Sequence, residues 1–304
     1  MNEHSRLLSR EYFLEHPDAY REYYELPADV DHELQRVLLN GKQIAFQYFV
    51  PDKCEQFVLF LHGFMDHVGP QGPFIRRLVN ENIGVLAIDF PGHGLSEGDR
   101  YHIDDFDRYE EVLEEGLAQL IQRGYGDPFV IGHSTGGGIA SNYLWNDERL
   151  FRIKKLVLVA PLARTKGWFT TKLGSVFIDL FSDDVPRKFR ANSGDEGFVD
   201  KQRTDPLQED RIPLDWVKAM VDWEKSFRKD SSRKESTPIV IFQGTEDGTV
   251  SWEYNLKFYD RRFANKKIIL IDGGEHQLLN ETEAIKQMVY SLIVREIKNK
   301  KRHK

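Results

Sequence analysis

The chain has 304 residues, 40% of them hydrophobic and 12% aromatic, a balance that fits a folded globular protein and excludes disorder as a global description. Its formal charge of −7 leaves no general basic field, so no nucleic-acid partner is expected. The one cysteine, Cys54, cannot close a disulfide within the chain, and no run approaches the roughly twenty apolar residues that span a bilayer. The charged start, Met1 to Arg21, does not read as a secretory leader. The expectation is a cytoplasmic protein, at most peripheral to a membrane.

Residues 1–33 are polar and aromatic, interrupted by Pro17 and Pro27, and read as an extension lying against the rest of the chain. From Leu34 the pattern alternates, through Arg36 and Leu38, then Asn40-Gly41, then Ile44, Phe46, Tyr48 and Val50. Asn-Gly between two alternating runs predicts a tight hairpin, because both turn residues must take positive φ. A rhythm of apolar strand and amphipathic helix follows. Strands are predicted at Phe57–Leu61, Val85–Ile88, Phe129–Ile131, Leu156–Val159, Ile239–Phe242 and Ile268–Ile271, each near-continuously apolar, as strands covered on both faces are. Helices fit at Phe74–Asn82, Asp105–Arg123, Gly137–Asn146, Glu253–Arg262 and Ala284–Ile297. The implied fold is a doubly wound, mostly parallel α/β sheet built from residues 34–161 and 237–304.

The rhythm stops between Pro161 and Thr237, a span of about seventy-five residues that no short crossover would need. This insertion, 162–236, carries helical but not strand patterns, with Trp168, Phe169, Phe177, Ile178, Leu180 and Phe181, then Trp216, Val217, Met220 and Trp223. It reads as a helical cap over the strand tips. The basic run Lys298–Lys304 reads as a solvated terminus.

The chemistry starts at Gly132-His133-Ser134-Thr135-Gly136, which follows an apolar strand and precedes the helical run Gly137-Gly138-Ile139-Ala140. A serine between two glycines in a strand–turn–helix setting is a nucleophile elbow, which exposes the hydroxyl at a sharp turn. A serine hydroxyl is a poor nucleophile at neutral pH and needs a base oriented by an acid, expected later in the chain in the order acid then histidine. Asp247 follows the strand ending at Phe242, and His276 follows the strand ending at Ile271, so all three residues fall at the carboxyl edge of the sheet. In this reading His276 takes the Ser134 proton and Asp247 holds the imidazole. Glu246 is the nearest rival for the acid, with Asp272 behind it. The oxyanion of an acyl-transfer intermediate needs backbone donors, expected from Thr135 and from Phe64 in His62-Gly63-Phe64-Met65. His62, His133 and His93 read as loop residues, and Ser96, between Gly94 and Gly98, as a turn residue. No metal-ligand spacing, phosphate loop or dinucleotide fingerprint is present, so no metal and no cofactor is expected.

Taken together, His62-Gly63 with His67, Asp89-x-x-Gly92-His93-Gly94-x-Ser96-x-Gly98, the elbow, Gln243-Gly244-x-x-Asp247, Gly274-x-His276-x-Leu278 and Asp205-Pro206-Leu207 resemble the monoacylglycerol lipase and lysophospholipase branch of the α/β-hydrolase superfamily, from about Phe57 to the last helix. The resemblance implies an α/β-hydrolase sheet with a helical cap insertion, a triad of Ser134, Asp247 and His276, and an oxyanion hole from the Phe64 and Thr135 amides. It also implies a lipid ester substrate and a cap that touches lipid at a membrane surface. Phe64-Met65 departs from it, standing where many relatives carry smaller residues, and the first fifty residues have no counterpart. The leading expectation is a serine carboxylic ester hydrolase acting on a monoacylglycerol or lysophospholipid. A short-chain carboxylesterase or thioesterase is the alternative within acyl chemistry, and a non-catalytic ligand receptor the alternative from another class.

Overall fold

The computed structural model describes residues 8–146, 148–168, 184–187, 189–226 and 234–299. The aromatic and apolar residues Phe169, Phe177, Ile178, Leu180 and Phe181, read above as part of the cap, and the basic tail from Lys300 lie outside these residues.

Two short helices, α1 (Arg10–Glu15) and α2 (Pro17–Tyr23), open the chain. Pro17 sits in the first turn of α2, where its missing N–H costs nothing. The hairpin follows as β1 (Asp31–Leu39) and β2 (Lys42–Val50), with Asn40 and Gly41 at φ of 49° and 74°, the mirror-image turn that Asn-Gly favours. The alternating units are β3 (Gln56–Leu61), α3 (Gly72–Asn80), β4 (Ile83–Ile88), α4 (Asp107–Gln122), β5 (Phe129–His133), α5 (Thr135–Trp145) and β6 (Lys155–Val159). After the insertion come β9 (Ile239–Gly244), the helix Trp252–Arg262, β10 (Lys266–Ile271) and the helix Glu283–Lys298.

These strands form one eight-stranded sheet in the order β1-β2-β4-β3-β5-β6-β9-β10, antiparallel at β1, β2 and β4 and parallel from β4 onward. Alternation along β3 splits the core: Leu59 and Leu61 pack with α4 and α5 on one face, and Val58 and Phe60 with α3 and Glu283–Lys298 on the other. Phe13, Tyr20 and Tyr24 of the N-terminal extension are buried on the second face, where their rings supply core area. β10 differs from the expectation of two covered faces: Ile268 and Leu270 are exposed, because β10 is the edge strand and Ile269 and Ile271 are the residues that turn toward the buried side.

The insertion is not purely helical. Besides the helices Glu196–Arg203 and Leu214–Ser226 it contains a short antiparallel pair, β7 (Asp184–Pro186) with β8 (Arg211–Pro213). Strands of three residues are too short to register as alternation, and both run into proline. Leu214–Ser226 turns Trp216, Val217, Met220 and Trp223 inward, and these pack on the α4 and α5 face of the core.

Candidate active site

Neighbouring strands β3 and β5 bring the first two parts of the site together. The chain leaves β3 toward β4 and returns past it to β5, so a crevice opens at the carboxyl ends of β3 and β5. Leu61 pairs with Gly132, which sets the loop after β3 beside the turn after β5, and the Gly136 amide donates to the His62 carbonyl at 3.1 Å. The elbow itself is tight. A Cβ on Gly132 would stand 2.6 Å from the Gly136 carbonyl, and one on Gly136 would stand 2.5 Å from the Leu61 carbonyl, distances only glycine accommodates. Ser134 carries φ 49° and ψ −113°, a conformation that costs of the order of 1–3 kcal/mol and is held by its neighbours. Those neighbours are the Val159 carbonyl, which accepts from its amide, and the amides of Gly138 and Leu162, which donate to its carbonyl.

β9 and β10 lie further along the sheet from β5, at roughly 5 Å per strand, so their loops must lean back to reach Ser134. Gly244 makes this possible: a Cβ there would meet the Gly274 carbonyl at 2.2 Å, so the loop after β10 folds flat over the end of β9. The Glu246 amide donates to that same carbonyl at 3.0 Å. His276 Nδ1 consequently lies 2.8 Å from Asp247 Oδ2. Gln243 Nε2 donates to the same oxygen, while the Thr249 and Val250 amides donate to Oδ1 at 2.8 and 3.0 Å. Burial raises the Asp247 carboxyl, but the charge and hydrogen bond of His276 and the two amides outweigh it and leave the group at about 2. The rival carboxylates Glu246 and Asp272 are both exposed and neither bonds to His276.

Ser134 and His276 line one cavity of about 600 Å³, within the range of small-molecule sites, without a hydrogen bond between them in this state. Phe64 and Thr135 line it too, and among the described residues neither of their amides has a hydrogen-bond partner within the chain. Phe64 stacks on Trp216 of the insertion, with ring centroids 3.6 Å apart. Met65 is buried at φ 57°, an unusual conformation for a residue with a side chain. The bulky pair therefore roofs one end of the cavity while leaving its volume open. A second cavity of about 400 Å³, between Tyr23, Lys201 and Lys286, contains neither Ser134 nor His276.

Of the histidines read as loop residues, His133 instead ends β5, and His93 sets its Nδ1 2.9 Å from the Pro91 carbonyl. His62 Nε2 accepts from the Phe90 amide, so Nδ1 carries the proton and donates to the Gly63 carbonyl at 2.7 Å; burial, with His93 nearby, keeps the ring neutral. His133 Nε2 donates to the His276 carbonyl at 3.2 Å and so steadies the His276 backbone from behind. Ser96 is fully buried, donating to the Asp89 carbonyl and accepting from Ala45 N. Among the described residues no group of His, Cys, Asp or Glu side chains is arranged to hold a metal ion, and no helix is long and apolar enough to cross a membrane.

One network has no counterpart in the sequence reading. Asp205, at the start of Asp205-Pro206-Leu207, accepts from the Tyr24 hydroxyl at 2.8 Å and pairs with His67 Nε2 at 3.1 Å. It thereby joins the insertion, the N-terminal extension and the loop that carries Phe64. Burial opposes the charge on His67, but Asp205, with Asp89 and Asp66 behind it, outweighs burial and holds the imidazole above its ordinary 6.5. Burial likewise raises Asp205, and His67, the Leu207 amide and Tyr24 outweigh it and hold the carboxyl below its ordinary 3.8. A raised histidine contributes fully below its unfolded value and loses that contribution as pH rises through its folded value; a depressed carboxylate contributes above its unfolded value and loses it on acidification. The pair therefore stabilises most from about pH 4 to about pH 6.5. Asp205→Asn is expected to cost about 3–5 kcal/mol in that window, with the gap to the parent narrowing at higher pH. Urea unfolding at pH 5.5 and pH 9 reads this, and a pH-independent gap would exclude a charged pair.

Comparison with known proteins follows the same outline. The profile of the serine aminopeptidase S33 hydrolase family matches residues 52–283. A monoglyceride lipase homolog of monkeypox virus is 26% identical over 262 residues, covering 83% of this chain and 92% of its own. The monoglyceride lipase of Mus musculus is 32% identical over 193 residues, 60% of this chain and 62% of its own. Among solved structures, a soluble variant of monoglyceride lipase from Saccharomyces cerevisiae, in complex with a substrate analog, superposes with a TM-score of 0.77 at 18% identity, over 89% of this chain and 95% of that one, a likeness of fold.

Proposed function

The chain belongs to the serine aminopeptidase S33 family of α/β-hydrolases and is a hydrolase, and from that premise we propose that it cleaves a single-chain lipid ester, a monoacylglycerol or lysophospholipid, through an acyl-Ser134 intermediate. The observation that carries the reading is the His276–Asp247 contact at 2.8 Å, opening on the same cavity as Ser134. His276 Nε2 takes the Ser134 proton as Oγ attacks the ester carbonyl carbon. The Phe64 and Thr135 amides receive the oxyanion, a contribution of about 3–4 kcal/mol per donor. Collapse breaks the ester C–O bond, and the departing alkoxide takes the proton from His276. Water then attacks the acyl-serine with His276 as base, releasing the fatty acid and restoring the Ser134 hydroxyl. Asp247, held ionised, keeps the imidazole in one tautomer and balances its positive charge throughout.

A single-chain lipid is favoured over a small ester by the cavity wall of Phe64, Leu162, Ile212, Trp216, Val217 and Met220, which buries an acyl chain at roughly 25 cal/mol per Å². In this reading the insertion is the cap, supplying Ile212, Trp216, Val217 and Met220, and its outer face meets the lipid aggregate. Relatives named for monoglyceride hydrolysis support the same class. The test is a panel of nitrophenyl and glyceryl esters graded by acyl length, with Ser134 occupancy followed by a fluorophosphonate probe. Efficiency is expected to climb from acetate to medium-chain acyl groups. A steep preference for acetate would replace this reading with a short-chain esterase, and a protein inert to the probe would point to a non-catalytic receptor.

A further inference from the structure

The geometry of the proposed reaction says which wall of the cavity meets which half of the substrate. The departing oxygen takes its proton from His276, so the head group lies against the residues beside His276, and the acyl chain extends toward Phe64 and Trp216. Beside His276 the wall is polar. The Gln277 amide donates to the Asn192 carbonyl at 2.9 Å, which fixes Asn192 beside His276. Arg187 is held separately: its amide donates to the Asp210 carbonyl at 2.7 Å and its Nη1 to Gln208 at 3.1 Å. Arg187 and Arg190 both line the cavity. Lys166 lines it from the facing loop, where its amide is bonded to the Thr249 carbonyl.

No carboxylate of the described residues pairs directly with these cations, although Asp210 and Asp66 attract Arg187 from further off. Among the described residues none of the three has a carboxylate within ion-pair distance, and no Asp or Glu lines the cavity, although the chain as a whole carries a net charge of −7. A half-buried guanidinium such as Arg187 loses hydration that only an anion restores well. The same wall also holds unused acceptors. Gln202 and Gln277 are each more than nine-tenths buried, and their Oε1 atoms have no hydrogen-bond partner, nor does Asn192 Oδ1. Buried amide oxygens of this kind call for donors, which hydroxyl groups provide.

We propose that the leaving half of the substrate is a phosphorylated polyol: Arg187, Arg190 and Lys166 take the phosphate, and Asn192, Gln202 and Gln277 accept the polyol hydroxyls. This rests on the lipid-ester reading above and narrows it from neutral glycerides to acyl esters of glycerol phosphate or its diesters. The cationic side chains on that wall offer a phosphate charge-assisted donors, while the ester carbonyl remains at Ser134.

The experiment compares three esters with one and the same saturated acyl chain, below their aggregation threshold: the monoacylglycerol, the acylglycerol phosphate and the lysophosphatidylglycerol. The phosphorylated esters are expected to exceed the neutral one in kcat/KM by about tenfold or more, chiefly through KM, and added salt should erode that advantage. In Arg187→Gln/Arg190→Gln the ratio of phosphorylated to neutral turnover should fall about tenfold, with Arg190→Lys retaining part of it. A lead of the phosphomonoester over the diester identifies a free terminal phosphate; equal rates identify diester lipids; both support the assignment. Equal or better cleavage of the neutral ester, or a ratio unmoved by salt and by the double substitution, overturns it while leaving the lipid-ester reading intact. If the double variant does not fold, the salt dependence of the parent and the single variant Lys166→Gln decide. Hydrolysis of none of the three sinks the lipid-ester reading and this inference with it.

Discussion

Ser134→Ala is expected to reduce ester hydrolysis by about 10⁴–10⁶-fold while the protein folds as before. The size follows from the division of labour in the cavity. On the proposed mechanism, without Oγ no acyl-enzyme forms, and what remains is the binding and oxyanion contribution assigned to the Phe64 and Thr135 amides acting on attack by water. Stability should be nearly unchanged, because the alanine keeps the Cβ and inherits the same strained φ of 49°. The elbow is held by the backbone bonds to Val159, Gly138 and Leu162, which the substitution does not touch. Initial rates on a medium-chain ester, beside thermal melts of both proteins, check the two halves of this expectation. Hydrolysis within tenfold of the parent would remove Ser134 from the mechanism.

Asp247→Asn is expected to lower kcat by about 10⁴-fold with little change in KM. Oδ1 of Asp247 is engaged by the Thr249 and Val250 amides, so an asparagine there keeps its oxygen on that side and turns its NH₂ toward His276 and Gln243. Two donors then face each other across 2.8 Å. The imidazole escapes the clash by moving its proton to Nε2, the atom that has to accept from Ser134. The variant also gives up the stability of an ionised carboxyl held at about 2 rather than 3.8, worth about 2 kcal/mol at neutral pH. That contribution is present above the unfolded value and is lost as pH falls through about 2, so parent and variant should converge in strong acid. Steady-state kinetics with urea titrations at pH 7 and pH 3 measure both effects. Unimpaired turnover would mean that His276 is oriented by some other group.

What could be read from the sequence was whatever chain-local chemistry specifies. Apolar runs ending in glycine mark strand tips, so Ser134, Asp247 and His276 could be placed on one edge before any contact was known. Asn40-Gly41 likewise specifies its own turn. Features made by distant partners were not legible. Nothing near His67 announces a buried aspartate 138 residues away, and nothing in Phe64-Met65 announces that Phe64 will stack on Trp216. Asp247 was preferred to Glu246 from the sequence, but that Asp247 is buried and Glu246 exposed is a matter of packing that the pattern does not show. The exposed face of β10 and the pairing of β7 with β8 follow from position in the sheet and from strands too short to show a period.

The bridge from Tyr24 through Asp205 to His67 also bears on how the molecule reaches this state. Its two bonds close loops of 181 and 138 residues, so both join positions far apart in the chain. Loop-closure entropy makes such contacts late events, formed after local hairpins and βα units. The loop that carries the Phe64 amide thus gains this backing only after the local hairpin and the βα units around it have formed.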